Sequence, residues 1–228
     1  MRVSRVLQAR LNSLNIMQLV KSHVKPGSRY IEIGCAPGRM LAWVSKNLGA
    51  TTTGLDYSEV GIAKCKRLLK VLSLEIDLHC VDFFEHNLPL ESFDCVASFG
   101  LIEHFDDPTL LVKKHIDLLK PGGTALIAIP NYGGLYGDIQ KWCDPENIAL
   151  HNLDIMSPKS LESLVNRSKV SSIRAYHYGR IDPLILSFEK KFPVFLVKLL
   201  NVFLNGIGLL QPIVIAKIAP MLVLEVRK

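Results

Sequence analysis

The feature that most constrains the fold is a regular alternation of short apolar strand patterns with amphipathic helical patterns. Helices are predicted between the strands, over residues 37–48, 58–72 and 107–119. Strands are predicted at residues 29–33, 51–56, 76–81, 93–99 and 124–129, with a turn at 120–123 before the last of these. This β-α-β succession favours a parallel sheet with helices on both faces.

Two stretches interrupt the alternation. Residues 131–156 are rich in Gly, Asn, Asp and aromatics without a clear period, and long excursions of this kind usually form lids or substrate walls. Residues 183–219 form a strongly apolar insert between a sixth predicted strand, at 173–178, and a last one, at 221–226. Together with an N-terminal helix over residues 1–25, the pattern predicts one domain over 1–228.

Composition excludes several classes of protein. A chain that is 49% hydrophobic and 21% charged is not disordered. The 5 cysteines are an odd number and contain no C-x-x-C pair, which argues against a disulfide scaffold or a zinc finger. This cysteine usage favours a reducing compartment, and we expect a cytoplasmic location.

The net charge of +6 is confined to residues 1–31, because no acid precedes Glu32. This basic, amphipathic segment lacks the features of a secretory signal; it fits a helix packed on the domain, a transit peptide or a membrane-surface helix. The rest of the chain is neutral and lacks interleaved basic and aromatic residues, so no nucleic-acid partner is expected.

The candidate site follows the first three strands. In open α/β sheets, ligands bind beyond the carboxyl ends of the strands. The first strand runs into Glu32-Ile33-Gly34-Cys35-Ala36-Pro37-Gly38, whose small residues allow close backbone approach to a ligand. Asp56 ends the second strand and can accept hydrogen bonds from ribose hydroxyls. Asp82-Phe83, after the third strand, offers an acceptor and an apolar face for adenine.

Loop spacing separates two classes of cofactor. The dinucleotide fingerprint has glycines at relative positions 0, 2 and 5, whereas position 5 here is Arg39. This disfavours the alternative of an NAD-dependent oxidoreductase. The loop resembles motif I of the class I S-adenosylmethionine (SAM)-dependent methyltransferases, with Ala36 in place of the middle glycine. Later motifs of that family are matched in order by Asp56, Asp82-Phe83, Phe93-Asp94-Cys95-Val96, Glu103-His104-Phe105 and Leu119-Lys120-Pro121-Gly122-Gly123.

The resemblance covers about residues 28–130 and, more loosely, 157–228. It implies an α/β, Rossmann-like, doubly wound fold: a three-layer αβα sandwich whose seven-stranded sheet has the order 3-2-1-4-5-7-6, the last strand antiparallel. It also implies an enzyme that converts SAM to S-adenosylhomocysteine. The implied cofactor residues are Glu32, which organises the loop; Gly34, Cys35, Ala36 and Gly38 at the methionine end; Asp56 at the ribose; Tyr57, Asp82 and Phe83 at the adenine; and Ser98 and Phe99 under the sulfonium.

The acceptor is expected to be a small molecule methylated on oxygen: a metabolite, a sugar or a lipid-linked glycan. The segment after the fourth strand, Ser98-Phe99-Gly100-Leu101, lacks the Asn/Asp-Pro-Pro-Tyr/Phe motif of enzymes that methylate nucleic-acid bases. Histidine suits general-base catalysis near neutral pH, and His104 and His151 are the candidates. A SAM-binding partner subunit without a catalytic base is the non-enzymatic alternative.

A divalent metal is not predicted. In some quinol O-methyltransferases a Glu-His pair at the position of Glu103-His104 helps bind one, but one carboxylate and one imidazole are a thin ligand set.

The apolar insert predicts a buried or interfacial helix. Residues 199–216 carry no charge over 18 residues, but their Asn, Gly and Pro content argues against a membrane span. Lys198, Asn201 and Asn205 form one polar stripe on an otherwise apolar helix. Such a helix could cover the sheet edge, form a homodimer contact, or dock on a membrane to reach a lipid-linked acceptor.

Overall fold

The computed structural model describes residues 14–211 and 213–228, which form an open α/β sandwich. Its sheet has the order β3-β2-β1-β4-β5-β7-β6. The strands are β1 Arg29–Ile33, β2 Thr51–Asp56, β3 Asp77–Cys80, β4 Phe93–Phe99, β5 Leu119–Pro130, β6 Ser172–Tyr178 and β7 Met221–Arg227. Strands β1 to β5 pair in parallel, and β7 runs antiparallel to both β5 and β6. The predicted fold class and strand order are confirmed.

Helices cover both faces of the sheet. Residues 14–21 are helical and are labelled α1. The others are α2 Arg39–Leu48, α3 Glu59–Val71, α4 Thr109–Leu118, α5 Leu135–Cys143, α6 Pro145–Ile148, α7 Pro158–Ser163 and α8 Val194–Leu210. On one face, α1, α2 and α3 pack on side chains such as Tyr30 and Ala97. On the other face, α4 and α7 pack on Ile31 and Val96, the residues next to Tyr30 and Ala97 in the same strands. This alternation between faces is the period-2 pattern expected of doubly covered strands.

The N-terminal helix is described only in part. Leu19, Val20 and Val24 are buried in the core beside α2 and α3, so this part of the segment packs on the domain. Residues 1–13, with half of the basic side chains of the N-terminal segment, lie outside the described residues.

The turn predicted at 120–123 is wrong as a strand boundary, because these residues lie inside β5. Phe93 pairs with Leu119 and Cys95 pairs with Thr124, so β5 carries several extra residues opposite β4. Gly122 has φ +80° and lets the strand detour and rejoin the ladder. The Pro-Gly-Gly signal indicated this irregularity correctly, but its neighbours stay hydrogen-bonded in the sheet.

The excursion contains more helix than its pattern indicated, whereas the insert contains the helix that was predicted there. The excursion 131–156 holds α5 and α6 as well as a 3-10 turn, and the insert 183–219 is built around α8. Within the described ranges, no helix combines the length and the apolar character needed to cross a bilayer.

Candidate functional site

The loop after β1 is a tight, glycine-dependent connection to α2. Gly34 and Gly38 have φ +72° and +86°, a region that favours glycine. The Gly34 N–H donates to the Leu55 carbonyl at 2.8 Å, and the Gly38 N–H donates to that of Cys35 at 2.7 Å. A Cβ on Gly38 would lie 3.2 Å from the Cys65 sulfur, so this residue also allows α2 and α3 to approach closely. The loop is therefore fixed in a tight conformation at the carboxyl end of β1.

Asp56, at the end of β2, fixes the position of that loop. Its Oδ2 accepts a hydrogen bond from the Ala36 N–H at 3.0 Å, and its Oδ1 accepts one from the Ser58 N–H at 2.9 Å. Asp56 is buried in the chain yet lies on a cavity wall. Each carboxylate oxygen has a second lone pair, so Asp56 can also accept from a ligand in that cavity.

This cavity of about 500 Å³ lies at the carboxyl ends of β1, β2 and β4, where α/β folds bind ligands. Six of the predicted site residues line it: Gly34, Asp56, Tyr57, Asp82, Phe83 and His104. The remaining walls come from Ile33, Leu55, Phe84, Gly100, Leu101, Phe105 and Leu111. Its size and its mixture of apolar walls with a few polar groups fit a nucleoside-sized ligand.

The other predicted residues are not among those that line this cavity: Glu32, Cys35, Ala36, Gly38, Ser98, Phe99 and His151. Burial raises the pKa of Glu32 to about 8, and the Tyr30 hydroxyl donates to its Oε2 at 3.5 Å. Ser98 is buried at the end of β4, and its hydroxyl has no hydrogen-bond partner among the described residues.

The aromatic walls differ in exposure. Phe83 is buried, with its ring 5.1 Å from both His86 and His115, so it belongs to the core as well as to the cavity. Tyr57 stands at the rim and is 80% exposed. Phe84 was not predicted as a site residue, and its ring packs edge-on against Phe105 at 5.9 Å. Phe105 could have been noticed, because it belongs to the matched Glu103-His104-Phe105 motif.

The two candidate bases lie together at the mouth of the site. The His104 and His151 ring centroids are 4.8 Å apart. Asn152 holds the end of the excursion against the segment after β4, because its N–H donates to the Glu103 carbonyl at 2.6 Å and its side-chain amide donates to the Phe105 carbonyl at 3.0 Å. The structure thus brings together two histidines that are far apart in sequence.

The imidazole orientations follow from their hydrogen bonds. His104 Nδ1 lies 3.1 Å from the Leu150 carbonyl oxygen, and His151 Nδ1 lies 2.8 Å from that of Asn147. A carbonyl oxygen only accepts, so Nδ1 carries the proton in each neutral ring and Nε2 keeps its lone pair. Burial lowers the pKa of His151, and burial raises that of Glu103 to about 7. One carboxylate oxygen of Glu103 and one ring nitrogen each of His104 and His151 lie within 4.8 Å of one another.

Comparisons with known proteins agree with this geometry. A family model described as "Methyltransferase domain" matches residues 31–127. The chain is 31% identical over 129 residues to the ubiquinone biosynthesis O-methyltransferase of Xanthomonas campestris, covering 54% of this chain and 53% of the relative. It is 27% identical over 121 residues to the protein of that name from Coxiella burnetii, covering 53% and 51%. The matched regions thus span about half the length of these relatives.

Solved structures resemble the whole described chain. A SAM-dependent methyltransferase from Archaeoglobus fulgidus matches with a TM-score of 0.64 at 19% identity, covering 99% of this chain and 94% of that one. Phosphoethanolamine N-methyltransferase 2 of Haemonchus contortus, in complex with SAM, matches with a TM-score of 0.64 at 20% identity, covering 93% and 51%. At such identities the likeness concerns the fold.

Proposed function

We propose that this chain, which carries a class I SAM-dependent methyltransferase domain, transfers the methyl group of SAM to an oxygen of a small-molecule acceptor. The observation that carries the proposal is the cavity of about 500 Å³ that joins the glycine loop, Asp56 and Asp82 to His104. Asp56 and Asp82 can accept hydrogen bonds from a nucleoside, and His104, whose ring lies 4.8 Å from that of His151, lines the same cavity. The curated relatives named as O-methyltransferases support oxygen as the acceptor atom.

The proposed cofactor residues are those that the family resemblance implies. Gly34, Cys35, Ala36 and Gly38 form the loop that would receive the methionine end of SAM, and Glu32 would organise that loop. Asp56 would accept from the ribose hydroxyls while keeping its two bonds to the loop. The adenine and sulfonium contacts are assigned to Tyr57, Asp82, Phe83, Ser98 and Phe99.

The chemistry is an in-line displacement, so alignment of the acceptor supplies much of the rate. The acceptor oxygen attacks the methyl carbon as the C–S bond breaks, giving a methyl ether, S-adenosylhomocysteine and one proton. His104 and His151 are the proposed bases, because each keeps an Nε2 lone pair to take that proton.

A labelled methyl-transfer screen tests the function. The full chain is incubated with methyl-labelled SAM and with metabolite and lipid extracts of the source cell. We expect label in an ether-linked product, and less of it with Asp56→Ala. Label on nitrogen would overturn the assignment of oxygen as the acceptor atom. SAM binding without methyl transfer to any component of the extracts would favour the alternative of a SAM-binding partner subunit.

The acceptor class is proposed from helix α8, whose polarity is inverted. Its buried positions include Asn201 and Asn205, whereas most of its apolar side chains are exposed. Val197, Leu200 and Leu204 are partly buried and pack on the domain. The exposed apolar side chains on and after this helix are Val194, Phe195, Leu196, Leu199, Val202, Phe203, Ile207, Leu209, Leu210, Ile213, Val214 and Ile215. A contiguous patch of this size marks an interaction surface.

Charge favours a membrane as the occupant of the α8 face. Residues 190–224 contain four lysines and no acid. Beside the face, exposed Trp142 lies under the Lys191 ammonium at 5.7 Å, and aromatic and basic side chains together are typical of the bilayer interface. We therefore propose peripheral membrane contact and a lipid-linked acceptor, with a homodimer contact as the competing occupant.

Vesicle sedimentation separates these occupants. We expect the chain to pellet with anionic vesicles and a double variant, Val202→Ser with Phe203→Ser, to remain in the supernatant. Val71→Ser is the matched control, because Val71 is 82% exposed on α3. Equal pelleting of both variants would overturn the membrane assignment. A dimer that dissociates in the double variant, with no pelleting of the parent, would assign the face to a second copy.

A further inference from the structure

We propose that Gln140 and Tyr132 are positioning residues for the reaction, and that together they hold the His151 imidazole from the insert 183–219. This rests on the proposed function, which gives His151 as a candidate base without saying what fixes its ring. Both residues belong to the excursion, and both bind the same short stretch of the insert, residues 185–187. The insert is thereby connected to the candidate site.

The His151 ring depends on the position of Asn147, because its Nδ1–H donates to the Asn147 carbonyl at 2.8 Å. Asn147 lies in α6, a single turn of 4 residues from Pro145 to Ile148. A helix this short is not stable by itself, so contacts outside it must fix its place. The Asp144 carboxylate accepts from the Asn147 N–H at 3.3 Å, but Asp144 belongs to the same excursion. The orientation of the imidazole therefore depends on what holds α6.

Gln140 provides that contact from α5. This residue is 1% exposed, and its Nε2 donates to Asn147 Oδ1 and to the Ser187 hydroxyl, both at 2.9 Å. Its Oε1 accepts from the Ser187 N–H at 2.9 Å. Both amide hydrogens and the carbonyl oxygen are therefore used, which is what a buried amide requires. These bonds connect the insert, through Gln140 and Asn147, to the imidazole.

Tyr132 contacts the imidazole directly. Its ring meets that of His151 edge-on, with centroids 5.0 Å apart and an interplanar angle of 86°. An edge-to-face pair of aromatic rings is stabilising beyond the area that it buries. The Tyr132 hydroxyl donates to the Ile185 carbonyl oxygen at 3.1 Å, and burial raises its pKa to about 12, so it keeps its proton at neutral pH. The Tyr132 ring thus limits rotation of the imidazole, and the insert in turn fixes the Tyr132 ring.

The stretch 185–187 is itself fixed by packing. Leu186 is buried in an apolar cluster that joins α5 to the buried side of α8. The α8 members of this cluster are Val197, Leu200 and Leu204. Close packing of this kind gives Gln140 and Tyr132 a rigid support. The insert therefore acts on the candidate site through these two residues.

Imidazole NMR tests the positioning without cofactor or acceptor, so its outcome is independent of methyl transfer. The full chain is labelled with 15N, and the ring signals of His151 are identified by their loss in His151→Ala. We expect the parent to show the neutral tautomer that is protonated at Nδ1. Gln140→Met keeps the side-chain volume without the hydrogen bonds, and Tyr132→Leu removes the aromatic ring. Each should populate the tautomer protonated at Nε2, because the imidazole is then free to turn away from the Asn147 carbonyl.

Two conservative variants separate positioning from a merely structural role. Tyr132→Phe keeps the ring against His151 and should retain the parental tautomer. Tyr136→Phe is the matched control: the Tyr136 hydroxyl also joins α5 to the insert, accepting from the Asp182 N–H at 2.8 Å, so its loss weakens the same interface through a different residue. It should lower the Tm and leave the His151 signals unchanged. Circular dichroism establishes that each variant is folded. If Gln140→Met is not, Asn147→Ala breaks the same link at a half-buried position.

The rate of methyl transfer tests the consequence for the reaction. In the labelled-extract assay at saturating SAM, Gln140→Met and Tyr132→Leu should lower the initial rate at least about tenfold, because a small displacement of a reacting group is enough for that. The Kd for SAM should stay that of the parent. Parental His151 signals in both folded variants overturn the positioning, and altered signals with a parental rate overturn its importance for the reaction. Altered signals in variants of a parent that transfers no methyl group leave the positioning intact and refute the proposed function instead.

Discussion

Replacement of Asp56 is the perturbation whose effect follows most directly from the structure. Its two oxygens accept from the Ala36 and Ser58 N–H groups at 3.0 and 2.9 Å, which leaves one lone pair on each for a ribose. A hydrogen bond to a charged group contributes about 1.5–3 kcal/mol. Loss of one such bond should raise the Kd for SAM about 10- to 150-fold. Asp56→Ala also removes the hydrogen bonds from the Ala36 and Ser58 N–H groups that position the loop, so we expect an increase in Kd in the upper part of that range.

Calorimetric titration with SAM and with S-adenosylhomocysteine measures the effect. The Kd values for both ligands should rise by the same factor, because both ligands contain the ribose. Asp77→Asn is the control: this exposed carboxylate on β3 is engaged by His79 at 2.9 Å, lies outside the cavity lining, and should leave the Kd unchanged. Urea unfolding checks that Asp56→Ala remains folded. A folded Asp56→Ala chain that binds both ligands with the parent Kd would refute the ribose assignment.

Three further predictions concern stability. Burial raises the pKa of Glu32 from 4.5 to about 8, so the folded chain holds a proton that the unfolded chain releases across that window. Between these two pH values, Glu32 alone should lower the free energy of unfolding by about 1.4 kcal/mol for each unit by which the pH rises. Glu32→Gln should remove this slope in urea titrations performed at several pH values. An unchanged slope in the variant would contradict a buried, protonated Glu32. Burial lowers the pKa of His115 from 6.5 to about 4, so the unfolded chain takes up a proton there before the folded chain does. The free energy of unfolding therefore falls as the pH falls through that range. His115→Leu should flatten the acid limb of a Tm-against-pH curve. Retention of the full acid limb would argue against a buried neutral imidazole. Gly54→Ala should cost about 1–3 kcal/mol by overpacking, because its Cβ would lie 2.8 Å from the Cys35 sulfur, whereas Gly206→Ala meets no atom within 4 Å. Equal urea midpoints for these two variants would contradict the packing argument.

The succession of strands and helices was predictable because its signals are local and repeated, whereas the strand order came from the resemblance to the methyltransferase family. Apolar strands such as β4 alternate with helices whose ends carry recognisable caps, as where the Ser58 hydroxyl accepts from the Gly61 N–H at 3.1 Å. The 120–123 segment was assigned wrongly because Pro and Gly indicate irregular backbone without distinguishing a turn from a detour inside a strand. In the excursion, α5 was missed because its apolar residues contact Leu186 and Phe188, which the sequence places far away.

The cofactor half of the candidate site is more legible in sequence than the acceptor half. Gly34, Asp56 and Asp82 follow consecutive strands, and parallel strands bring their carboxyl ends to one edge of the sheet. The Glu103, His104 and His151 cluster has no such rule. It depends on how the excursion folds back and on the Asn152 hydrogen bonds that anchor it. The inverted polarity of α8 likewise becomes visible only in the structure, which places Asn201 on the buried face of the helix.

The central claim is that the cavity between the glycine loop and Asp82 holds SAM. Calorimetric titration of the full chain with SAM, S-adenosylhomocysteine and NAD tests it most directly. We expect one-to-one binding of SAM and of S-adenosylhomocysteine, and no measurable heat from NAD. Binding of NAD with none of SAM would contradict it.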